Sequence, residues 1–255
     1  MIKVLSIAGS DPSGGAGIQV DLKTFQMLRA YGMAIPAALT AQSSKGVAGV
    51  YPAAPRALSQ QIEALLSDIR PDAIKTGMLL TKQAIDAVAR AVRKHRIRNL
   101  VVDPVIRASS GTMLLKPDAV RSLKKDLLPL ALVITPNIPE AEVLAGMRIM
   151  TDGDMDFAAG ILMDLGPRYV LIKGGHRAGP AIDTLYGGKT VLSFSTERRK
   201  GEFHGTGCVL SSALAVFIGR GMPVEKAVEK AKGFVEKMLR SAKPVGKGRV
   251  KYFQF

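Results

Sequence analysis

The residues of this chain best suited to chemistry fall in five short segments, each at one end of an apolar run. His204-Gly205-Thr206-Gly207-Cys208 precedes the apolar stretch 209–218. Glycine and threonine opening a helix leave several N–H groups aimed at one point. With the positive end of the helix dipole behind them, they can cradle an anion. Cys208, in the first turn, is expected to have a lowered thiol pKa and to act as a base near neutral pH. The competing reading is a small buried cysteine behind a flexible turn.

Gly9-Ser10-Asp11-Pro12-Ser13-Gly14-Gly15-Ala16-Gly17 is a glycine-rich passage between a strand-like and a helix-like run. It lacks the Gly-Lys-Ser/Thr of a Walker A loop. It also fails the dinucleotide fingerprint, because Gly15-x-Gly17 leads to Val20 where Gly or Ala is required. Its glycines let the backbone lie against a flat ligand. Asp21, one turn into the helix, is placed to accept a hydrogen bond from that ligand; a plain glycine-rich turn is the alternative. In Thr135-Pro136-Asn137-Ile138-Pro139-Glu140, Asn137 and Glu140 form a capping-box pattern. The capping pattern is the stronger reading; the functional one makes them neighbours of a metal-bound phosphate, Glu140 through water because Mg²⁺ keeps much of its hydration. Lys173-Gly174-Gly175-His176 ends a strand with a cation, and Asp103-Pro104-Val105 ends another with an acid.

Bringing such segments together requires strands that end side by side. Strand-like runs at 3–8, 34–40, 73–76, 100–103, 132–135 and 169–173 alternate with helical spacing at 18–28, 58–69, 84–92, 119–128, from 138 and at 157–165. Residues 182–186 and 190–194 read as a hairpin through Gly187-Gly188, and two helices, 209–218 and 224–239, follow. The alternation predicts βαβ units and a mainly parallel sheet covered on both faces, with ligands beyond the C-terminal strand ends. No Pro/Ser-rich linker divides the chain, so residues 1–255 are expected to form one domain.

Composition narrows the classes further. Hydrophobic residues are 47% and charged residues 22%, which excludes disordered and collagen-like chains. No apolar run reaches the roughly 20 residues of a membrane span. One cysteine excludes an internal disulfide framework, and the first residues read as a core strand, so a cytoplasmic protein is expected. Thirty-six basic against 21 acidic residues give +15, a balance that attracts nucleotides, phosphorylated metabolites or nucleic acid. The bases are dispersed, however, and aromatics are 5% with no Trp, so stacking readout of nucleic acid lacks its parts.

Taken in order, the segments resemble the hydroxymethylpyrimidine/phosphomethylpyrimidine kinases of thiamine biosynthesis, within the ribokinase-like superfamily. The matching pieces are IAGSDPSGGAGIQVDLKTF at 7–25, TAQSSKGV at 40–47, KTGML at 75–79 and VVDPV at 101–105. They continue with SSGTMLL at 109–115, ITPNIPEAEVL at 134–144, IKGGH at 172–176 and HGTGC at 204–208. The chain departs from the family pattern at 107–111, at Gly201-Glu202-Phe203 and at Gly246-Lys247-Gly248-Arg249-Val250.

The resemblance implies a three-layer α/β/α sandwich, often a homodimer, acting on a small pyrimidine alcohol and its monophosphate with ATP and Mg²⁺. It implies that Asp21 and Gln42 hold the pyrimidine, with Ala16, Met78 and Val105 lining the pocket. Gly205, Thr206 and Gly207 would form the anion hole and Cys208 the base, with Lys173, Asn137, Glu140 and Asp103 around the nucleotide. Glu140 and Asp103 would be the residues nearest Mg²⁺. Alternatives are a pyridoxal/pyridoxine kinase of the same superfamily, a Cys–His hydrolase using Cys208 with His176 or His204, and a basic nucleic-acid-binding module.

Overall fold

The first strand, β1 (Lys3–Ser10), is apolar on both faces: Leu5 and Ile7 enter one core cluster and Val4 the other. A strand of this kind needs cover on both sides, and the rest of the chain supplies it. In the computed structural model, which describes residues 1–107, 114–175, 181–188 and 190–255, β1 is followed by α1 (Gly17–Met27), β2 (Tyr31–Ser43) and β3 (Gly46–Pro52). Then come α2 (Pro55–Asp68), β4 (Ala73–Thr76), α3 (Lys82–Lys94), β5 (Leu100–Val102) and α4 (Pro117–Ser122). The third stretch runs β6 (Val133–Ile134), α5 (Ile138–Ala145), α6 (Asp152–Asp164), β7 (Tyr169–Lys173), β8 (Ala181–Gly187) and β9 (Thr190–Thr196). It closes with α7 (Thr206–Gly219), α8 (Val224–Ser241) and the short strands β10 (Lys243–Pro244) and β11 (Lys251–Tyr252).

Among the described residues one sheet has the order β3-β2-β1-β4-β5-β6-β7-β8-β9. Strands β2, β1, β4, β5, β6 and β7 are parallel, while β3 at one edge and β8–β9 at the other are antiparallel. Helices α2 to α6 bury their apolar faces in one cluster and α1, α7 and α8 in the other, which makes the three-layer α/β/α sandwich. Chain order reverses beside β1: the next parallel strand, β2, lies on one side and β4 on the other. Such a switch point opens a crevice above the C-terminal strand ends.

Local rules account for most boundaries. Thr81 caps α3 by accepting from the Ala84 N–H at 3.2 Å, and Arg93 and Lys94 complement the dipole at its end. Thr151 with Asp154 makes a capping box on α6. The structure departs from expectation at 119–128: α4 stops at Ser122, and the chain continues through a π turn and a 3₁₀ turn at Leu128–Leu130, where Pro129 cannot sustain an α-helix. Strand β3 answers no predicted element. The segments 108–113 and 176–180, which include His176 and most of the divergent stretch 107–111, lie outside the described residues.

Candidate active site

Five parallel strands, β1 and β4 to β7, and the starts of α1, α5 and α7 supply the crevice. Its floor is a fully buried ion pair: Lys75 Nζ on β4 lies 2.9 and 2.8 Å from the two carboxylate oxygens of Asp21 on α1. Ser6 on β1 and Ser212 on α7 donate to the same carboxylate at 2.5 and 2.7 Å. Asp21 therefore faces inward and is saturated by the protein. This corrects the expectation that it accepts a hydrogen bond from the ligand, because a carboxylate so enclosed needs all its partners within the core. Lysine is held charged here: burial opposes the ammonium, but Asp21, with Asp103 and Cys208 adding to it, raises its pKa.

The glycine-rich loop closes over this floor. Asp11, itself buried, accepts from the Ser13 N–H (2.9 Å), Ser13 Oγ (2.7 Å) and the Ala16 N–H (2.9 Å). Gln19 accepts from the Asp11 N–H at 2.9 Å and donates to Ser10 Oγ at 2.7 Å, pinning the loop to its helix. Burial works against charge on Asp11, yet bonds from His204 and Ser13 hold its carboxyl below the usual value.

Helix α7 begins against this loop. Gly205 adopts φ +81°, and any side chain there would collide with the Gly15 carbonyl, so only glycine brings the two segments together. No side chain caps the helix start, which leaves its first N–H groups open. Gly207 lies so close to Lys173 that a β-carbon would sit 3.3 Å from Nζ. Cys208 is partly buried, and the Gly17 N–H donates to its sulfur. Burial pushes the Cys208 thiol up to about 11; Lys75 pulls it down without prevailing, while Asp21 and Asp103 add to the rise. The expected lowering is thus overturned: desolvation of the thiolate exceeds what the helix start and the lysine return.

On the other side of α7, Lys173 Nζ at the end of β7 lies 2.9 Å from Asp103 Oδ1 and 4.0 Å from Glu140 Oε2. Thr135 Oγ1 and Ser211 Oγ also donate to Asp103, at 3.2 and 3.3 Å. Burial opposes charge on Asp103, but Lys173 and then Lys75 hold its carboxyl below the usual range. Asn137 and Glu140 form the reciprocal capping box of α5, each bond 2.8 Å. Burial pushes Glu140 up to about 7, with Lys173 opposing and Asp103 reinforcing the rise. The capping-box reading holds, and the Glu140 carboxyl also faces the Lys173–Asp103 pair.

The residues expected to line a pyrimidine pocket lie along the strand ends and the glycine-rich loop. Ala16 caps α1 with its N–H on Asp11. Met78, after β4, covers Gly9, where a β-carbon would strike its terminal methyl. Val105 follows the end of β5 and is partly buried. Gln42 lies between Thr40 Oγ1 (3.2 Å) and His204 Nε2 (2.8 Å). His204 Nε2 is also 2.9 Å from Asp11 Oδ2, so His204 is engaged there and not with the thiol, as a Cys–His hydrolase would need.

Residues 11–252 match the phosphomethylpyrimidine kinase family. The chain belongs to that family. It is 44% identical over 96% of its length to the thiamine biosynthesis bifunctional protein of Geobacter sulfurreducens, spanning 50% of that longer protein. It is 41% identical to the hydroxymethylpyrimidine/phosphomethylpyrimidine kinase of Bacillus subtilis, over 96% of this chain and 92% of that one. Among solved structures, an ADP complex of Bacillus subtilis pyridoxal kinase superposes with a TM-score of 0.91 at 36% identity, covering 100% of this chain and 97% of that one. The ribokinase-like fold that the motifs implied is the fold observed.

Within this kinase, the structure gathers Gly205, Thr206, Gly207, Cys208, Lys173, Asp103, Asn137 and Glu140 about the start of α7, and Ala16, Gln42 and Met78 about the glycine-rich loop. Sequence reasoning missed Lys75, Asp11 and Gln19, and gave His204 a partner only in the Cys–His alternative. Lys75 carried a signal: a lysine in the middle of the buried strand Ala73–Thr76 requires a buried carboxylate opposite.

Proposed function

We propose that this kinase transfers the γ-phosphoryl group of ATP to 4-amino-5-hydroxymethyl-2-methylpyrimidine, and then phosphorylates the resulting monophosphate. The observation that carries the reading is the uncapped start of α7, flanked by Lys173 and by the Cys208 sulfur and set beside the glycine-rich loop. Phosphoryl transfer needs alignment and neutralisation of charge more than covalent help. In this scheme the open N–H groups of 206–208 and Lys173 receive the phosphoryl oxygens. The pyrimidine lies between Ala16, Met78, Val105 and Gln42. Cys208 accepts the proton of the attacking hydroxyl through its thiolate form; for the monophosphate, already an anion, that help is dispensable.

Around Lys173 the donors are hard oxygens, of the kind Mg²⁺ prefers. Among the described residues no three His, Cys, Asp or Glu are grouped to hold a metal alone, as suits an ion carried mainly by nucleotide phosphates and water. Asp103 and Glu140 would hold it there, and the ion would offset the charge of the phosphates.

The same reading makes residues 1–255 one catalytic domain of a cytoplasmic enzyme, and no described helix is long and apolar enough to cross a membrane. It also includes a homodimer. Leu39 and Tyr51, cross-strand neighbours on β2 and β3, are 54% and 61% exposed, an apolar surface suited to a second copy.

A second reading, a pyridoxal-type kinase, is favoured by the 0.91 TM-score to the ADP-bound pyridoxal kinase. Incubation with ATP, Mg²⁺ and the pyrimidine alcohol, followed by product analysis, is expected to give mono- and then diphosphate. Faster turnover of pyridoxal in direct competition would replace the first reading by the second.

A further inference from the structure

We propose that His204 is a positioning residue that fixes the orientation of the Gln42 amide, so that Gln42 offers an N–H to the substrate and selects a heteroaromatic alcohol with a lone pair at that edge. The inference rests on the placement of Gln42 in the substrate cleft given above. It follows from counting donors and acceptors along one chain of contacts.

His204 Nε2 lies 2.9 Å from Asp11 Oδ2 and 2.8 Å from the Gln42 amide, which sits with Nε2 toward the ring and Oε1 toward Thr40 Oγ1. Asp11 already accepts three hydrogen bonds, from the Ser13 N–H, Ser13 Oγ and the Ala16 N–H. A carboxylate surrounded by donors is an acceptor, so His204 Nε2 carries a hydrogen and shares it. The opposite tautomer would face two acceptors across 2.9 Å with nothing between them.

Whatever stands 2.8 Å from that N–H on the Gln42 side must accept, and an amide has one accepting end, its oxygen. Turning the amide over places its oxygen at His204 and its nitrogen at Thr40 Oγ1, across the 3.2 Å now spanned by Oε1, and leaves the Thr40 hydrogen for the Ser10 carbonyl at 3.0 Å. Each hydrogen now has an acceptor, from Gln42 to Thr40 to Ser10 and from His204 to Asp11 and Gln42. With the amide nitrogen left toward His204, two donors would oppose each other there.

One hydrogen of the Gln42 amide remains, and no described residue takes it. Gln42 is only half-buried, so that N–H is available to a ligand. A ring nitrogen of a pyrimidine or pyridine accepts it; a ring N–H at that edge is refused. His204 itself is held firmly: its backbone N–H donates to the Lys251 carbonyl at 3.0 Å, and Tyr252 packs edge-on at 5.6 Å between ring centres. Tyr252 in turn donates to Ser13 Oγ at 3.3 Å, tying the end of the chain to the same loop.

The test compares the pyrimidine alcohol with its two analogues in which one or the other ring nitrogen is replaced by C–H. Wild-type protein is expected to prefer the parent over one analogue by about tenfold, in kcat/KM and in calorimetric binding without ATP. Gln42→Met and His204→Ala should each bring that ratio close to one while leaving KM for ATP unchanged. His204→Gln, which still offers an N–H to Asp11, should restore part of it. Full discrimination in His204→Ala, or none in the wild type, overturns the inference. Because binding is read without turnover, a protein that fails to phosphorylate the parent refutes the proposed reaction and still decides this point.

Discussion

Two lysine–aspartate pairs lie at the same end of the sheet at nearly the same separation, 2.8 Å for Lys75–Asp21 and 2.9 Å for Lys173–Asp103. Their surroundings differ. Lys75 and Asp21 are 0% exposed, and Ser6 and Ser212 complete the shell of the carboxylate. Lys173 keeps 16% of its side-chain surface, faces a second acid at 4.0 Å, and borders Gly207 at the open start of α7. A pair whose carboxylate is filled by the protein and shut from solvent holds the fold; a pair with spare capacity beside unclaimed N–H groups holds something the protein must pick up.

The sharpest way to break this contrast is to remove each cation. Lys75→Met leaves Asp21 charged and alone in the core, and is expected to destabilise by roughly 3–5 kcal/mol in urea unfolding. Lys75→Met with Asp21→Leu should recover much of that loss, since an apolar pair needs no counter-ion. Lys173→Met should cost far less stability but lower kcat/KM for ATP by about a hundredfold, the scale of losing one preorganised charge contact. A collapse in stability at Lys173 with normal stability at Lys75 would reverse the assignment of the two pairs.

Cys208 stands between the pairs and sharpens the comparison by its acidity. Its thiol, pushed up to about 11 by burial, is almost wholly protonated in the unliganded protein at neutral pH. If the thiolate takes the hydroxyl proton, kcat/KM for the alcohol must climb with pH, about tenfold per unit from about pH 7 to 9. The profile for the monophosphate should be nearly flat over that span. Cys208→Ala should lower the first step about a hundredfold and the second much less. A flat profile for the alcohol would remove Cys208 from the proton path.

The contrast also marks what the sequence could and could not disclose. Continuous apolar runs such as Leu100–Val102 and Tyr169–Lys173 announce strands covered on both faces, and they place Asp103 and Lys173 at strand ends, where the crevice forms. Edge strand β3 announces nothing: Gly46–Pro52 is mostly exposed, and its partner is set by contact with β2 across the Ser43–Gly46 turn. Asp21 shows why position along a helix is insufficient. It sits one turn into α1, as a ligand acceptor would, but the helix turns it toward Lys75, whose partner 54 residues away only tertiary packing reveals. The Cys208 acidity failed for a related reason. The helix start was visible in the sequence, while the depth of burial that dominates it was not.

The smallest effect separates the two roles of Glu140. In the folded protein its carboxyl titrates near 7, because burial penalises its charge, against an ordinary value of 4.5. Between those two values the folded state keeps a proton that the unfolded chain has already released. Stability from this group is therefore fully present below about pH 4.5, declines as pH rises through the window, and is gone above about pH 7. Glu140→Gln keeps an oxygen to accept the Asn137 N–H at the start of α5 but cannot ionise. The variant should match the wild type at pH 4.5 and exceed it at pH 8 by at most about 3 kcal/mol in urea unfolding. A gap of equal size at both pH values would mean that Glu140 acts through the cap alone. The same substitution should weaken use of Mg·ATP, because a neutral amide offers the bound ion less than a carboxylate drawn into its charged form. Stability gained and nucleotide use lost in one variant would place Glu140 with Lys173 and Asp103, on the side of the molecule kept incomplete for a ligand.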